Sequence, residues 1–307
     1  MSSPGPIENI DPDGDLILSV SGSATLPHHL IRVSSQLLCR ASPVFNIMFR
    51  IPRSSLPRID IKQLDGDYHA IVILLNIIHL RTPNVPTEVT VDMLYKIAIL
   101  SDRYNVAGVF ASWVKTWAER YNDPTTEPGY ERWLAISYVF RLGNVFTEVT
   151  KKLVMNSSLD KQSGLVTVGK YDAFKSGVMP DNVVARQGVL RSIASVCKDE
   201  LKSYTSASHN ICNAGSKRNQ CDTINAGALI KFCISAGFWP TRVGTRHFTV
   251  TDIVKSSRSI ESFGYEIVES DSQNHAGCCL GSRLEIAIES KLEGVKGLDI
   301  QTFAGDD

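Results

Sequence analysis

The residues in this chain best suited to chemistry are a set of cysteines and a histidine near its end: Cys212, Cys221, His275 and Cys278. Thiolates and imidazole are the soft donors that hold zinc in a tetrahedron, and four of them suffice for a closed structural site. The spacing is unlike that of a zinc knuckle, whose paired ligands stand two to four residues apart. Here eight residues separate Cys212 from Cys221, and more than fifty separate Cys221 from His275. His209 and Cys279 are substitutes in the same set. Cys233 falls on one helical face with Leu229, Phe232 and Ala236, and Cys39 and Cys197 read in the same way, as small core residues. The spacing favours unligated thiols, with a structural zinc as the alternative and no other cofactor indicated.

Two further patterns resemble binding motifs and fail on their details. Gly164-Leu165-Val166-Thr167-Val168-Gly169-Lys170-Tyr171 fits GxxxxGK, but Tyr171 stands where a phosphate-binding loop needs Ser or Thr for magnesium. Its interior LVTV is strand-forming, so its amides would not make a glycine-rich phosphate cradle. Asp11, Asp13 and Asp15 alternate like a calcium loop, yet Leu16 occupies the position that requires glycine and the bidentate Glu is missing. A turn into a strand accounts for them. The sequence has no G-x-S-x-G elbow, no HExxH and no CxxC. His28-His29 lies in a polar connector. Nothing in these patterns assigns a catalytic residue.

The elements that must carry these residues follow from periodicity. From Leu16 the chain alternates as a strand, with Leu16, Leu18 and Val20 on one face, after the Asp13-Gly14 turn. Leu30, Ile31 and Val33 form a second short run. Ser35 is then suited to cap a helix starting at Gln36, and Ser42-Pro43 breaks it, so that Pro43 opens a second helix with Val44, Ile47 and Met48 on one face. Ile59-Asp60-Ile61 is a short alternating run. Asp67 caps a helix with Ile71, Leu74, Leu75 and Ile78 as its buried stripe. Met93, Ile97, Leu100 and Tyr104 mark the next helix, and Phe110, Trp113, Val114 and Trp117 another. Residues 1–12 form a Pro/Gly-punctuated tail expected to be disordered, and 13–122 a single α+β domain, a small sheet with a helical cluster. A helical hairpin is expected over 123–157, with Gly143 between its helices. A Gly/Ser-rich linker over 158–180 and a mostly helical region over 181–307 complete the chain.

Composition narrows the function further. Lys+Arg and Asp+Glu stand at 32 each in 307 residues, and no basic cluster exceeds Lys217-Arg218. Nucleic acid is therefore not the expected partner, since phosphate binding needs concentrated positive charge. The longest apolar stretch, His69 to Leu80, is too short and interrupted to span a bilayer, so no membrane is expected. The opening MSSPGPIENI does not read as a signal peptide. Together with an odd count of seven cysteines, this points to a reducing compartment, cytoplasmic or nuclear.

The ordered segment DLILSVSGSATLPHHLIRVSSQLLCRASPVFNIMF (15–49), followed by YHAIVILLNIIHLRTPNVPTEVTVDMLYKIAILSDRYNV with its terminal Ser101-Asp102-Arg103-Tyr104, resembles a BTB/POZ domain of the fungal type. The resemblance covers roughly residues 13–120. A looser one extends to the C-terminal region that often follows the domain in fungal relatives, through Cys212…Cys221, Ala228-Leu229-Ile230, Gly237-Phe238-Trp239-Pro240, His275-Ala276-Gly277-Cys278 and Gly297-Leu298.

This resemblance implies a scaffold or oligomerisation module that binds other proteins or itself as a homo- or heterodimer, with no enzymatic activity. In dimeric relatives a buried Asp near the first strand meets a basic residue that follows a His. Asp15 matches the Asp, while Ser34 and Ser35 stand at the His and basic positions. Some relatives act as substrate adaptors of cullin-type ubiquitin ligases through a hydrophobic-x-Glu element after the SPVF helix. Here that region runs from Phe49 through Ile51 in a basic stretch, Arg50-Ile51-Pro52-Arg53-Ser54-Ser55, without Glu. Asp15, Ser34, Ser35, Phe49 and Ile51 are thus the candidate interaction residues, with the charge pair of a dimer and the cullin contact both altered.

Overall fold

The computed structural model describes residues 7–20, 29–49, 60–121, 123–126, 129–159, 166–168, 171–172, 178–212, 218–239, 248–260 and 280–303. The chain divides into two compact units, Met1–Phe146 and Thr147–Asp307.

In the first unit, β1 (Ile7–Asn9), β2 (Leu16–Val20), β3 (His29–Val33) and β4 (Asp60–Leu64) form a sheet in the order β1-β3-β2-β4. β2 runs antiparallel to β3 with Leu16 opposite Val33, and parallel to β4 with Leu16 opposite Asp60. The alternating face of β2 is fully buried at Leu16, Leu18 and Val20, as its pattern predicts, and Ile17 on the other face is buried as well. Gly14 is needed in the preceding turn because a Cβ there would lie 2.4 Å from the Val33 carbonyl oxygen. Of the short alternating run expected at 59–61, Ile59 lies outside the described residues, while Asp60 and the exposed Ile61 open β4, which runs on to the buried Leu64.

Residues 7–9, inside the segment expected to be a disordered tail, form a strand parallel to β3. Long-range contacts hold it in place. The Arg81 Nη1 donates to the carbonyls of Asn9 and Ile10, each at 3.0 Å, and the Tyr68 hydroxyl donates to Glu8 at 2.6 Å.

Helices α1 (Ser35–Ala41), α2 (Pro43–Phe49), α3 (Tyr68–Ile78), α4 (Val91–Tyr104), α5 (Ala107–Ala118), α6 (Arg132–Val139) and α7 (Gly143–Asn156) follow in order, with a 3-10 turn at Thr82–Asn84. Asp67 caps α3 as expected, accepting from the Ala70 N–H, and its carboxylate also pairs with Lys96 at 3.0 Å. Ser42 is extended, as a residue before proline must be, and its buried hydroxyl does two things. It accepts from the Phe45 N–H at the start of α2 and donates to the Tyr104 carbonyl at the end of α4. The Tyr104 hydroxyl in turn donates to the Asp65 carbonyl and accepts from the Asp65 N–H. Ser42 and Tyr104, 62 residues apart, thus fasten α2, α4 and the end of β4 together. Trp117 is buried with its indole N–H on the Pro86 carbonyl, satisfying its one polar atom.

The second unit holds a three-stranded antiparallel sheet, β5 (Ser158–Leu159), β6 (Val166–Val168) and β7 (Tyr171–Asp172), in the order β5-β6-β7. The described residues of the expected linker at 158–180 are therefore paired strands up to Asp172. Val166, Val168 and Tyr171 have the β-propensity for it, and the surrounding Gly and Ser disguise it. Then come α8 (Val178–Tyr204), α9 (Arg218–Ser235), α10 (Val250–Arg258) and α11 (Leu280–Leu292), with a 3-10 turn at Ile300–Phe303. α8 packs on α9 and α11, and α10 on α11. Leu190, Ile193, Leu229, Phe232, Ile253, Leu284 and Ile288 form the core between them. α10 opens with a full capping box, Thr249 and Asp252 each bonding the other's backbone N–H.

The unit gathers around the second half of α7. Asn182 donates to the Thr150 carbonyl, Thr251 to the Met155 carbonyl, and the buried Arg186 guanidinium to the carbonyls of Ser157 and Phe248. The molecule is mixed α+β and mostly helical. Among the described residues no helix is long and apolar enough to cross a membrane.

Candidate protein-interaction site

Asp15 stands exposed at the start of β2, and its carboxylate is taken up within its own unit. Oδ1 accepts from the Ser35 N–H at 2.8 Å and Oδ2 from the Ser35 hydroxyl at 2.6 Å. Burial alone would raise its pKa, but the two Ser35 bonds outweigh this and hold the carboxyl below the ordinary carboxylate range. The carboxylate also lies where the α1 N-terminus presents its unpaired amides and positive dipole end. Asp15 and Ser35 therefore meet as the sequence pairing suggests, through hydroxyl and amide donors and not through a basic side chain.

Ser34, not Ser35, is the N-cap of α1, and α1 begins at Ser35. The reason is visible in the bonds: the Ser35 hydroxyl is spent on Asp15, while the Ser34 hydroxyl accepts from the Leu37 N–H. The Ser34 N–H donates to Nε2 of His79 at 3.0 Å. His79, the C-cap of α3, contacts the Leu75 carbonyl through Nδ1 at 2.8 Å. Since a carbonyl accepts only, Nδ1 carries the proton and Nε2 is the acceptor, which fixes the neutral tautomer. Burial depresses the His79 pKa, against the Leu75 carbonyl bond and the Asp11 charge, while Arg81 adds to the depression.

Phe49 lies in the core at 1% exposure, its ring centroid 5.3 Å from that of Phe45. The two aromatics, four residues apart, form the inward stripe of α2. The outward apolar positions are Ile47, 84% exposed, and Met48, which the helical spacing already placed on one face with Val44. Ile47 and Met48 are the surface residues missing from the sequence-based set. The clue was the Phe45–Phe49 spacing, which leaves 47 and 48 facing away. Ile51 lies outside the described residues.

In the second unit Cys212 and Cys221 meet in a buried pair of their own. Asp222 accepts from the N–H groups of Ile211 and Cys212, which brings that segment against α9, and the Asn225 amide donates to the Cys221 sulfur at 3.6 Å. His275, Cys278 and Cys279 lie outside the described residues. His209 is exposed and bonded to the Ser208 hydroxyl. Among the described residues no group of three or more His, Cys, Asp or Glu side chains is arranged to hold a metal ion. The described part of the GxxxxGK match, Val166–Val168, is a strand paired on both sides.

No protein-family model, curated protein or solved structure matches the chain.

Proposed function

We propose that the chain is a non-enzymatic protein-interaction protein whose first unit is a BTB/POZ-type module, binding a second copy of itself or another protein through the outward face of α2. The observation that carries this reading is the pairing of an inward Phe45–Phe49 stripe with a solvent-facing Ile47 and Met48. Ile47 and Met48 are neighbours on the solvent side of α2, where an associating surface would cover them together. Two further features support the module. The β-β-α-α-β-α-α-α order from β2 to α5 follows the order of the resemblance, and the residues that carry it, Ser42-Pro43 and Ser101 to Tyr104, are joined through Ser42 and Tyr104. Asp15 is satisfied by Ser35 inside its own unit, so the proposed association is apolar and does not depend on a charge pair.

Light scattering on the purified full chain, with affinity capture of partners, tests this. The expected result is a mass above the 33.8 kDa of one chain, or a stoichiometric partner, and its loss in Ile47→Asp with the fold intact by circular dichroism. Val184→Asp, at an exposed position in the second unit, serves as the control. A monomer without partner, or association indifferent to Ile47→Asp, would overturn the proposal. Co-purification with a cullin scaffold would mark the chain as a ligase adaptor instead.

A further inference from the structure

In the second unit, α7 grips the main chain of a segment that crosses it near the C-terminus. Thr147 and Thr150 are neighbours on one face of α7, three residues apart. The Thr147 hydroxyl donates to the Leu298 carbonyl at 3.1 Å, and the Thr150 hydroxyl accepts from the Leu298 N–H at 2.8 Å. The N–H and C=O of one residue point to the same side in extended backbone, so a donor and an acceptor set side by side take up both. The acceptor role is preset by the helix itself. Thr150 donates its single proton to the Thr147 carbonyl at 3.1 Å, which leaves its oxygen to receive the incoming amide.

A requirement on side chains accompanies the two main-chain bonds. Gly297 comes so close to α7 that a Cβ would stand 1.7 Å from the Thr147 carbonyl oxygen and 2.9 Å from the Thr150 hydroxyl oxygen. The position before the bonded residue therefore admits only glycine. Ile300 is buried, while Asp299 is exposed. Main-chain bonds for affinity and fitted positions for selectivity are how extended peptides are recognised. We propose that the Thr147–Thr150 face of α7 is a peptide-binding site for an extended Gly-aliphatic-x-aliphatic segment of a partner protein, and that Gly297–Ile300 fills it in cis as a displaceable plug.

This goes beyond the association through α2 and does not depend on it. A ligand of the same pattern makes the same contacts as the plug, and the two differ only in that the plug is tethered. A short tether holds the plug at an effective concentration on the order of millimolar, so a free peptide competes in that range. Removing the fit of the plug opens the site to lower concentrations.

The test begins with the unsubstituted full chain, isotopically labelled, and the unlabelled peptide GVKGLDIQTF, which copies residues 294–303. Hydrogen exchange at the Leu298 amide, followed by nuclear magnetic resonance, is expected to accelerate at roughly millimolar peptide. The same peptide with alanine at its second glycine, the one that copies Gly297, should leave that exchange unchanged. In fluorescence anisotropy, the labelled peptide is expected to bind the Gly297→Ala chain about tenfold more tightly than the unsubstituted chain, because the plug no longer fits. Adding Thr150→Val to that variant should abolish the gain, with the fold intact by circular dichroism. A Leu298 amide indifferent to the peptide, equal effects of the glycine and alanine peptides, or binding indifferent to Thr150→Val would each overturn the proposal. The exchange measurement needs no substitution in the chain, so it decides even where Gly297→Ala fails to fold.

Discussion

At the residue scale, the junction between β2, α1 and α3 is held by three side chains that each do one thing. Asp15 receives both donors of Ser35, Ser34 caps α1, and His79 accepts the Ser34 N–H. The last bond exists only while Nε2 is unprotonated. Because burial lowers the His79 pKa in the folded chain, the unfolded chain binds more protons around the ordinary histidine value of about 6.5. The stability that neutral His79 contributes is therefore fully present above that value and lost as pH falls toward and through the lowered one. Asp15 and Asp67 are also lowered, in each case by hydrogen bonds that outweigh burial, so their contributions fall away only in the more acidic carboxylate range. Denaturant unfolding from pH 7.5 down to pH 5 is thus expected to show a loss of stability that is shallower in His79→Gln. Equal slopes for the two proteins would show that His79 is not the titrating group. The Asp15–Ser35 pairing was open to sequence reasoning only through the resemblance, which sets Asp15 against the position that Ser35 holds. His79 was not, since it reaches Ser34 across 45 residues by a tertiary contact that no local pattern encodes.

At the element scale, what sequence alone revealed and what it hid divide along local and long-range causes. α3, α4 and α5 were legible because stripes such as Ile71, Leu74 and Leu75 recur at the helical period and Asp67 is a strong cap. β1 was not: three residues in a Pro/Gly tail become a strand only because β3, Arg81 and Tyr68 receive them. The ends of α3 and α6 were equally hidden. Both close with the six-to-one and five-to-two bonds of a Schellman turn, yet the left-handed position is held by Leu80 and Arg141, where glycine is the usual marker. The C-terminal strap is a readable glycine with an unreadable reason. Leu298 has its N–H on the Thr150 hydroxyl and its carbonyl on the Thr147 hydroxyl, so the strap lies flat on α7. A Cβ on Gly297 would fall 1.7 Å from the Thr147 carbonyl oxygen, a backbone atom that cannot swing aside. Gly297→Ala is expected to cost on the order of 3 kcal/mol in denaturant unfolding and to expose the amides of the strap to hydrogen exchange. A cost below about 0.5 kcal/mol, the usual size of a surface substitution, would show that the strap does not press on α7 as described.

At the scale of the whole molecule, the two units carry separate cores and also separate reporters. Trp113, Trp117 and Trp133 belong to the first unit and Trp239 to the second, so tryptophan fluorescence follows mainly the first unit while the far-ultraviolet signal sums the helices of both. Ile193, fully buried on α8, is a clean place to weaken one core, because its truncation leaves a cavity in the cluster it shares with Leu190, Leu229 and Leu284 and removes no polar side-chain group. Such a large-to-small change typically costs about 2–5 kcal/mol. Ile193→Ala is expected to shift part of the far-ultraviolet transition to lower urea while the fluorescence midpoint stays where it was. The variant should also keep the association proposed for α2, since Ile47 belongs to the other unit. Two outcomes would argue otherwise: fluorescence and circular dichroism moving together by the same amount, or the loss of association with the second core. Either would mean that a cavity in one unit is felt as a single cooperative event through the chain, and that the proposed interaction surface draws on both units, not on α2 and its sheet alone.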